Sequence, residues 1–158
     1  MSHRPSSRPK RWKQAFAAGA GGAVVVGLLA ATKSTAWPLL MGSFGSSAVI
    51  VFGFPESGFS KPGRVIGAHV LCTAIGLLCL HVLGDHAWSL GLSVGLSILV
   101  MLGSRTVHPP AGSNPLLVFA LCPDWTFLLW PALLGSTALV LGAALWRHVS
   151  AESSKPGP

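Results

Sequence analysis

Charge is what this sequence has least of. Only 9% of its 158 residues are charged, and four of those are acidic. A soluble domain carries about 25% charged residues, so this chain cannot cover a water-facing surface with polar groups. Tyrosine is absent, and the three cysteines, Cys72, Cys79 and Cys122, form no Cys-x-x-Cys pair. An odd cysteine count implies no closed disulfide framework. Each lies in or beside an apolar run, which suits a small buried hydrophobe. There is no Walker phosphate loop and no pair of acids, hence no expectation of an enzyme. His69 and His81 lack i,i+4 spacing and have no accompanying carboxylate, so neither a metal site nor a cofactor is expected.

What the sequence has instead is apolar surface: 51% of residues are hydrophobic and the mean hydropathy is +0.62. The net charge of +7 could suggest a nucleic-acid partner, but its placement argues otherwise. Arg4, Arg8, Lys10, Arg11 and Lys13 cluster just before an apolar run that opens at Ala15. Such a block marks a cytoplasmic flank and attracts anionic lipid head groups; a solvated tail explains it equally well. The run from Ala15 to Thr32 is longer than a signal-peptide core, and more apolar segments follow, so it reads as an uncleaved first span. At this length the chain makes one domain. Its core is thin, which makes a homo-oligomer the expectation.

Six apolar segments follow one another at 14–32, 37–54, 64–83, 87–103, 106–122 and 126–146. The first, third, fourth and sixth are about long enough to cross ~30 Å of hydrocarbon as helices. The second contains Gly42-Ser43-Phe44-Gly45-Ser46-Ser47, and the fifth contains His108-Pro109-Pro110-Ala111-Gly112-Ser113-Asn114-Pro115. Their Gly and Pro content predicts that both helices break. The two stretches also align without a gap, Gly45–Phe52 on Gly112–Phe119, at an offset of 67. Pro55 matches Pro123 and Gly67 matches Gly135 one residue later in register. Chance similarity among apolar sequences is the rival explanation, but the match includes polar and glycine positions. The offset therefore points to two copies of a three-segment unit.

Three crossings per copy would invert the second copy, as in many transporters. If segments two and five re-enter instead, the repeats are parallel with four crossings. Charge favours six crossings with the N-terminus inside. That arrangement places ten of the eleven cations inside and leaves only Lys33 outside, in accord with the positive-inside rule.

Irregular backbone at membrane depth survives only when buried in protein or lining a wet cavity. Ser46-Ser47 and Ser113-Asn114 are therefore the favoured site. Asn114 reads as an N-cap with Pro115 at the first helical position, and Ser47 as its counterpart. Two helix starts meeting near mid-membrane would bind an anion. Purely structural crossings with small residues at close contacts are the alternative. Gly19-Ala20-Gly21-Gly22 and Gly91-x-x-x-Gly95 read as packing of that kind. His69 and His108 lie within the apolar segments; each could serve proton co-transport or tie backbone carbonyls together.

These residues resemble a known family. His108-Pro109-Pro110-Ala111-Gly112-Ser113-Asn114-Pro115 looks like the signature of the HPP family of integral membrane proteins. Gly45-Ser46-Ser47-Ala48-Val49-Ile50-Val51-Phe52-Gly53 and Lys61-Pro62-Gly63-Arg64-Val65-Ile66-Gly67-Ala68-His69 resemble its other blocks. The similarity spans about 36–122. The resemblance implies four transmembrane helices, as the family is commonly described, and nitrite transport, with which its cyanobacterial and chloroplast members are associated. The third block in relatives usually reads Pro-Arg-Asn-Val-x-Gly-Gly-His, so the cation position is altered here. The soluble regulatory domain that follows the membrane unit in some relatives is expected to be absent.

Together these observations predict an all-α integral membrane protein with two inverted three-segment repeats: four full-length helices and two discontinuous ones. Residues 1–13 form a basic cytoplasmic tail. The transmembrane domain covers 14–147, with repeats at 14–83 and 87–147, and a second cytoplasmic tail covers 148–158. The expected location is a bacterial inner membrane. The expected function is a small-anion transporter or channel, nitrite being favoured, with Ser46, Ser47, His69, His108, Gly112, Ser113 and Asn114 at the site. Its partners would be the anion and the lipid bilayer, with no nucleic acid. A non-transporting membrane scaffold is the alternative.

Overall fold

The structure is a computed structural model that describes residues 8–31 and 37–152, with side chains described for 12–31 and 42–150. Arg4, Lys33 and Lys155, which entered the charge argument, lie outside the described residues. The described chain is all-helical, without a strand. Its helices are α1 (Arg8–Ala30), α2 (Trp37–Gly53), α3 (Pro62–Leu83), α4 (Ala87–Gly103), α5 (Asn114–Leu121) and α6 (Leu134–Glu152). A single 3-10 turn at Gly58–Ser60 precedes α3, a longer one at Pro109–Ser113 leads into α5, and Leu128–Leu133 leads into α6 through a kink at Trp130, whose backbone is extended (φ −130, ψ 116). By length and apolarity, Trp12–Ala30, Pro62–Leu83 and Leu128–Ser150 can each cross a membrane, while Gly42–Gly53 and Ala87–Gly103 are shorter apolar helices. The fourth segment has the bounds expected of it, Ala87–Gly103. α1 begins inside the stretch read as a basic tail, and α6 continues past residue 147.

Contacts fix the direction of each helix. Gly84, with φ +81, ends α3 by turning its N–H back to the Leu80 carbonyl. That left-handed conformation suits glycine, and the short turn makes α4 antiparallel to α3. α5 runs alongside α3, where Gly76 packs against Pro115 and Val118. α1 runs against α6: Trp146 donates its indole N–H to the Ala17 carbonyl at 3.0 Å, and Val25 packs on Gly142. α2 runs with α6, where Phe44 covers Gly135 and the Arg147 guanidinium reaches the Val51 carbonyl at 3.5 Å. Successive helices therefore alternate in direction. The ends carrying Lys13, Lys61, Arg64, Arg105 and Arg147 gather on one face. Asp85 and Asp124 lie at the other, where His81 stacks on Trp125.

A core of Phe44, Ala48, Val51, Val65, Leu77, Val118, Leu139 and Ala143 joins α2, α3, α5 and α6. Many apolar side chains, Leu28, Leu99 and Leu145 among them, point outward. Exposed leucine on this scale is what a lipid-facing surface requires.

The structure corrects the expected break in segment two: α2 is one continuous helix from Trp37 to Gly53. Glycine and serine weaken a helix in water, but unlike proline they keep the backbone donor. In hydrocarbon an opened turn would leave N–H and C=O groups unpaired at several kcal/mol each. The exposed Ser46 hydroxyl also has a partner within the helix, the Gly42 carbonyl at 2.8 Å. Segment five, with three prolines, is not uniform: the 3-10 turn gives way to α-helix at Asn114. The glycine runs divide as well. Gly21 sits under the Trp146 ring and Gly22 beside Ala48 and Phe52, whereas Gly19, Gly91 and Gly95 face open space. α4 instead buries Ser89, Ser93, Ser97 and Met101. Each of these serine hydroxyls donates to a carbonyl within its own turn.

Candidate functional site

Four of the residues singled out in the sequence converge where α2, α3, the 3-10 turn and α5 meet. Ser47, His69 and His108 are fully buried, and Asn114 is 3% exposed. The Ser47 hydroxyl lies 3.0 Å from Nε2 of His69 and 2.8 Å from Nε2 of His108. One hydroxyl thus bridges two imidazoles whose ring centres are 5.4 Å apart. The far nitrogen of His108, Nδ1, donates to the Phe59 carbonyl at 2.8 Å. The far nitrogen of His69, Nδ1, meets Nδ2 of Asn114 at 3.1 Å. The same amide nitrogen donates to the His69 carbonyl at 3.2 Å and to Thr73 Oγ1 at 2.9 Å, while Oδ1 accepts from Ser43 at 2.9 Å. Phe44 sets its edge against the His69 ring at 5.3 Å between centres.

Hydrogen positions follow from chemistry. A carbonyl can only accept, so the Asn114 nitrogen, not its oxygen, must face His69 O. That nitrogen's two hydrogens are shared among three acceptors, His69 O, Thr73 Oγ1 and His69 Nδ1. An amide nitrogen cannot accept, so Nδ1 of the neutral His69 ring is bare and its hydrogen sits on Nε2. His108 carries its hydrogen on Nδ1, because Phe59 O must receive it. Its Nε2 is then bare and takes the Ser47 hydrogen, and Ser47 accepts from His69. For neutral rings every bond in the chain has one direction, and both tautomers are fixed by their neighbours.

The other predicted residues are placed differently. Ser46 is exposed on α2, away from the cluster. Ser113 turns its hydroxyl to the Pro110 carbonyl at 2.8 Å. Gly112 lies 3.8 Å from the Met101 methyl, measured from where its Cβ would be. The helix-start readings are also corrected. Ser47 is interior to α2, where its N–H belongs to the helix ladder. Asn114 already has helical φ −60 and ψ −39, and Ser113 occupies the cap position without a capping side-chain bond. The 3-10 turn before Asn114 has begun to wind the chain, and the amide is committed to His69 and Thr73. Opposed helix N-termini are therefore not the basis of this site. Sequence reasoning missed Ser43 and Thr73. Their signal was helical spacing, since Thr73 follows His69 by one turn and Ser43 precedes Ser47 by one turn.

At the face bearing Asp85 and Asp124, the Thr126 hydroxyl, followed by its backbone N–H, holds the exposed Asp124 carboxyl below the usual carboxylate range; His81 acts in the same direction.

A bundle with leucine facing outward and a buried polar centre defines a polytopic α-helical integral membrane protein. The chain belongs to the HPP transmembrane family, whose transmembrane-region profile matches residues 6–156. A transmembrane protein of Dictyostelium discoideum is 30% identical over 126 residues, covering 75% of this chain and 44% of that protein. A second Dictyostelium transmembrane protein is 26% identical over 125 residues, covering 74% of this chain and 40% of its own length. The chain thus spans less than half the length of these curated relatives. No solved structure matches. The sequence blocks that carried the family resemblance meet at the site: one supplies Ser47, one His69, and the third His108 and Asn114.

Proposed function

We propose that this protein transports a small monovalent inorganic anion across a lipid bilayer, nitrite being the favoured substrate, with His69, Ser47, His108 and Asn114 at the translocation centre. The observation that carries the proposal is the pair of fully buried imidazoles joined through one serine hydroxyl. Ionisable groups inside a membrane are costly and mark transport pathways by default. An imidazolium at this depth needs a counter-charge. α2, α4 and α5 contain no acidic residue, so a bound anion supplies what the protein does not. The HPP resemblance, with nitrite transport associated with some members, supports the same substrate.

The favoured topology has six crossings, with the N-terminus and the cation-bearing face in the cytoplasm, as the positive-inside rule asks. Two inverted copies, α1–α3 and α4–α6, are supported by the packing. α1 packs on α2 as α4 packs on α5; α1 on α6 as α4 on α3; and α2 on α6 as α5 on α3. Exchanging the copies leaves this pattern unchanged. A plasma membrane is the proposed location; the Dictyostelium relatives do not bear on a bacterial origin.

Purified protein in liposomes tests the function. Nitrite uptake that competes with similar monovalent anions and ignores sodium or potassium is expected. Cation flux without anion flux would overturn the proposal, and no flux of either kind would leave the membrane-scaffold reading.

A further inference from the structure

The hydrogen-bond chain has a direction and two different ends. At one end, the His108 Nδ1–H points to the carbonyl of Phe59, a residue 42% exposed on the loop that carries Lys61. At the other, His69 presents a bare Nδ1 to an amide that can turn. We propose that His69, Ser47 and His108 form a proton relay that carries one proton with each anion, entering at His69 and leaving past Phe59. The inference rests on the proposed function for the anion, but the relay itself rests on geometry alone.

Each step conserves protons and moves no electrons between groups. An incoming proton bonds to the bare Nδ1 of His69, making it an imidazolium. His69 passes its Nε2 hydrogen to the Ser47 oxygen, 3.0 Å away. Ser47 passes its own hydroxyl hydrogen to Nε2 of His108, 2.8 Å away. His108 releases its Nδ1 hydrogen past the Phe59 carbonyl. One proton has entered and one has left, and both rings are in the opposite tautomer, so the pair must reset before the next transit.

Asn114 is built to permit the first step. When its amide turns over, Oδ1 faces the new Nδ1–H of His69 and the Thr73 hydroxyl. Nδ2 then faces Ser43 Oγ, which can turn its hydrogen to the Pro110 carbonyl 3.4 Å away. Each of these polar groups finds a partner in both states. The turned oxygen, however, lies against the His69 carbonyl, now 3.2 Å from the amide nitrogen. That repulsion keeps the amide in its present orientation until His69 gains a proton.

Few other ionisable groups face the pair. α2, α4, α5 and the 3-10 turn before α5 contain no titratable side chain. From α3 come the buried Cys72 thiol, bonded to Ser97, and Arg64, whose guanidinium holds the Gly58 carbonyl beside Phe59 at 3.1 Å. From the loop come Glu56 and Lys61, both exposed. With no buried carboxylate at hand, the charge on a protonated pair is neutralised by the anion, which enforces one proton per anion.

Two measurements test this on the whole chain. In lipid nanodiscs, the nitrogen spectra of 15N-histidine protein at alkaline pH should show His69 as the Nε2–H tautomer and His108 as the Nδ1–H tautomer. On acidification the pair should take up one proton. Like tautomers, or two protons taken up together, would overturn the relay without reference to transport. In proteoliposomes containing a pH dye, an inward proton gradient should drive nitrite uptake, and each nitrite should bring in a proton. Ser47→Ala should slow proton-linked uptake by roughly 100-fold, the scale of a lost proton-transfer group. Nitrite uptake that moves no protons removes the relay and leaves the transport proposal standing. Proton conduction through wild type that Ser47→Ala abolishes, without nitrite movement, does the reverse.

Discussion

At the scale of single residues, Asn114 does the most different things. Its amide holds His69, Thr73 and Ser43 at once. Asn114→Leu removes the amide and leaves these buried groups unsatisfied, at about 1–3 kcal/mol for each one. A markedly lower thermal midpoint in detergent is expected, with Ser46→Leu close to wild type because Ser46 bonds only within its own helix. Unchanged melting of Asn114→Leu would mean that the network is not formed. A second prediction concerns Gly76, where an added Cβ would lie 3.0 Å from the Pro115 backbone and 3.2 Å from Val118. Gly76→Ala should push α5 from α3 and cost about 1–3 kcal/mol. Gly91→Ala, which meets nothing within 4 Å, should be tolerated. Both histidines, Ser47 and Asn114 were legible as residues because polar groups stand out in an apolar run. Their partners Ser43 and Thr73 carried only the weak signal of lying one helical turn from Ser47 and His69, which many ordinary residues share.

Among the elements, α2 shows where sequence reading fails. A Gly-Ser-rich stretch looks like a break when judged by propensities measured in water, but helix propensity is a weak prior and the bilayer penalises every open turn. α5 shows the opposite: prolines remove donors in any solvent, so the irregular entry at Pro109–Ser113 was legible. The far end of α2 is closed by Ser60, whose hydroxyl lies 3.0 Å from the Ile50 carbonyl and 2.6 Å from that of Phe54. Ser60→Ala should cost about 0.5–1.5 kcal/mol. Amide hydrogen exchange should then rise in the last turn of α2 and in the loop after it, while α4 stays unchanged. Rises spread evenly over all helices would point to global loosening instead.

For the whole molecule, the number and apolarity of the helices were legible, because a span of ~20 apolar residues has few other uses. Their packing order was not. It depends on contacts such as Trp146 to Ala17 and Phe44 to Gly135, which join residues far apart in sequence. The alternating directions make a sharp topological prediction. Single cysteines at Glu56 and Ser104, both exposed, in a background lacking Cys72, Cys79 and Cys122, should react only with reagent on the cytoplasmic side. A cysteine at Asp85 should react only from the opposite side. Ser60 would report poorly, since it is buried. Labelling of both the Glu56 and Ser104 positions from outside, with the N-terminus in the cytoplasm, would mean four crossings and parallel repeats.

The bond from Trp146 to Ala17 joins residues 129 positions apart, and it has a consequence for how the protein is made. α1 leaves the ribosome well before α6, one of the helices that cover it. Until α6 emerges α1 can lean only on α2, with the seat for the Trp146 ring over Gly21 empty. α1 is therefore completed only once α6 has emerged. A chain stalled before Trp146 should keep α1 open to membrane quality-control proteases, and adding the last turns of α6 should make it resistant.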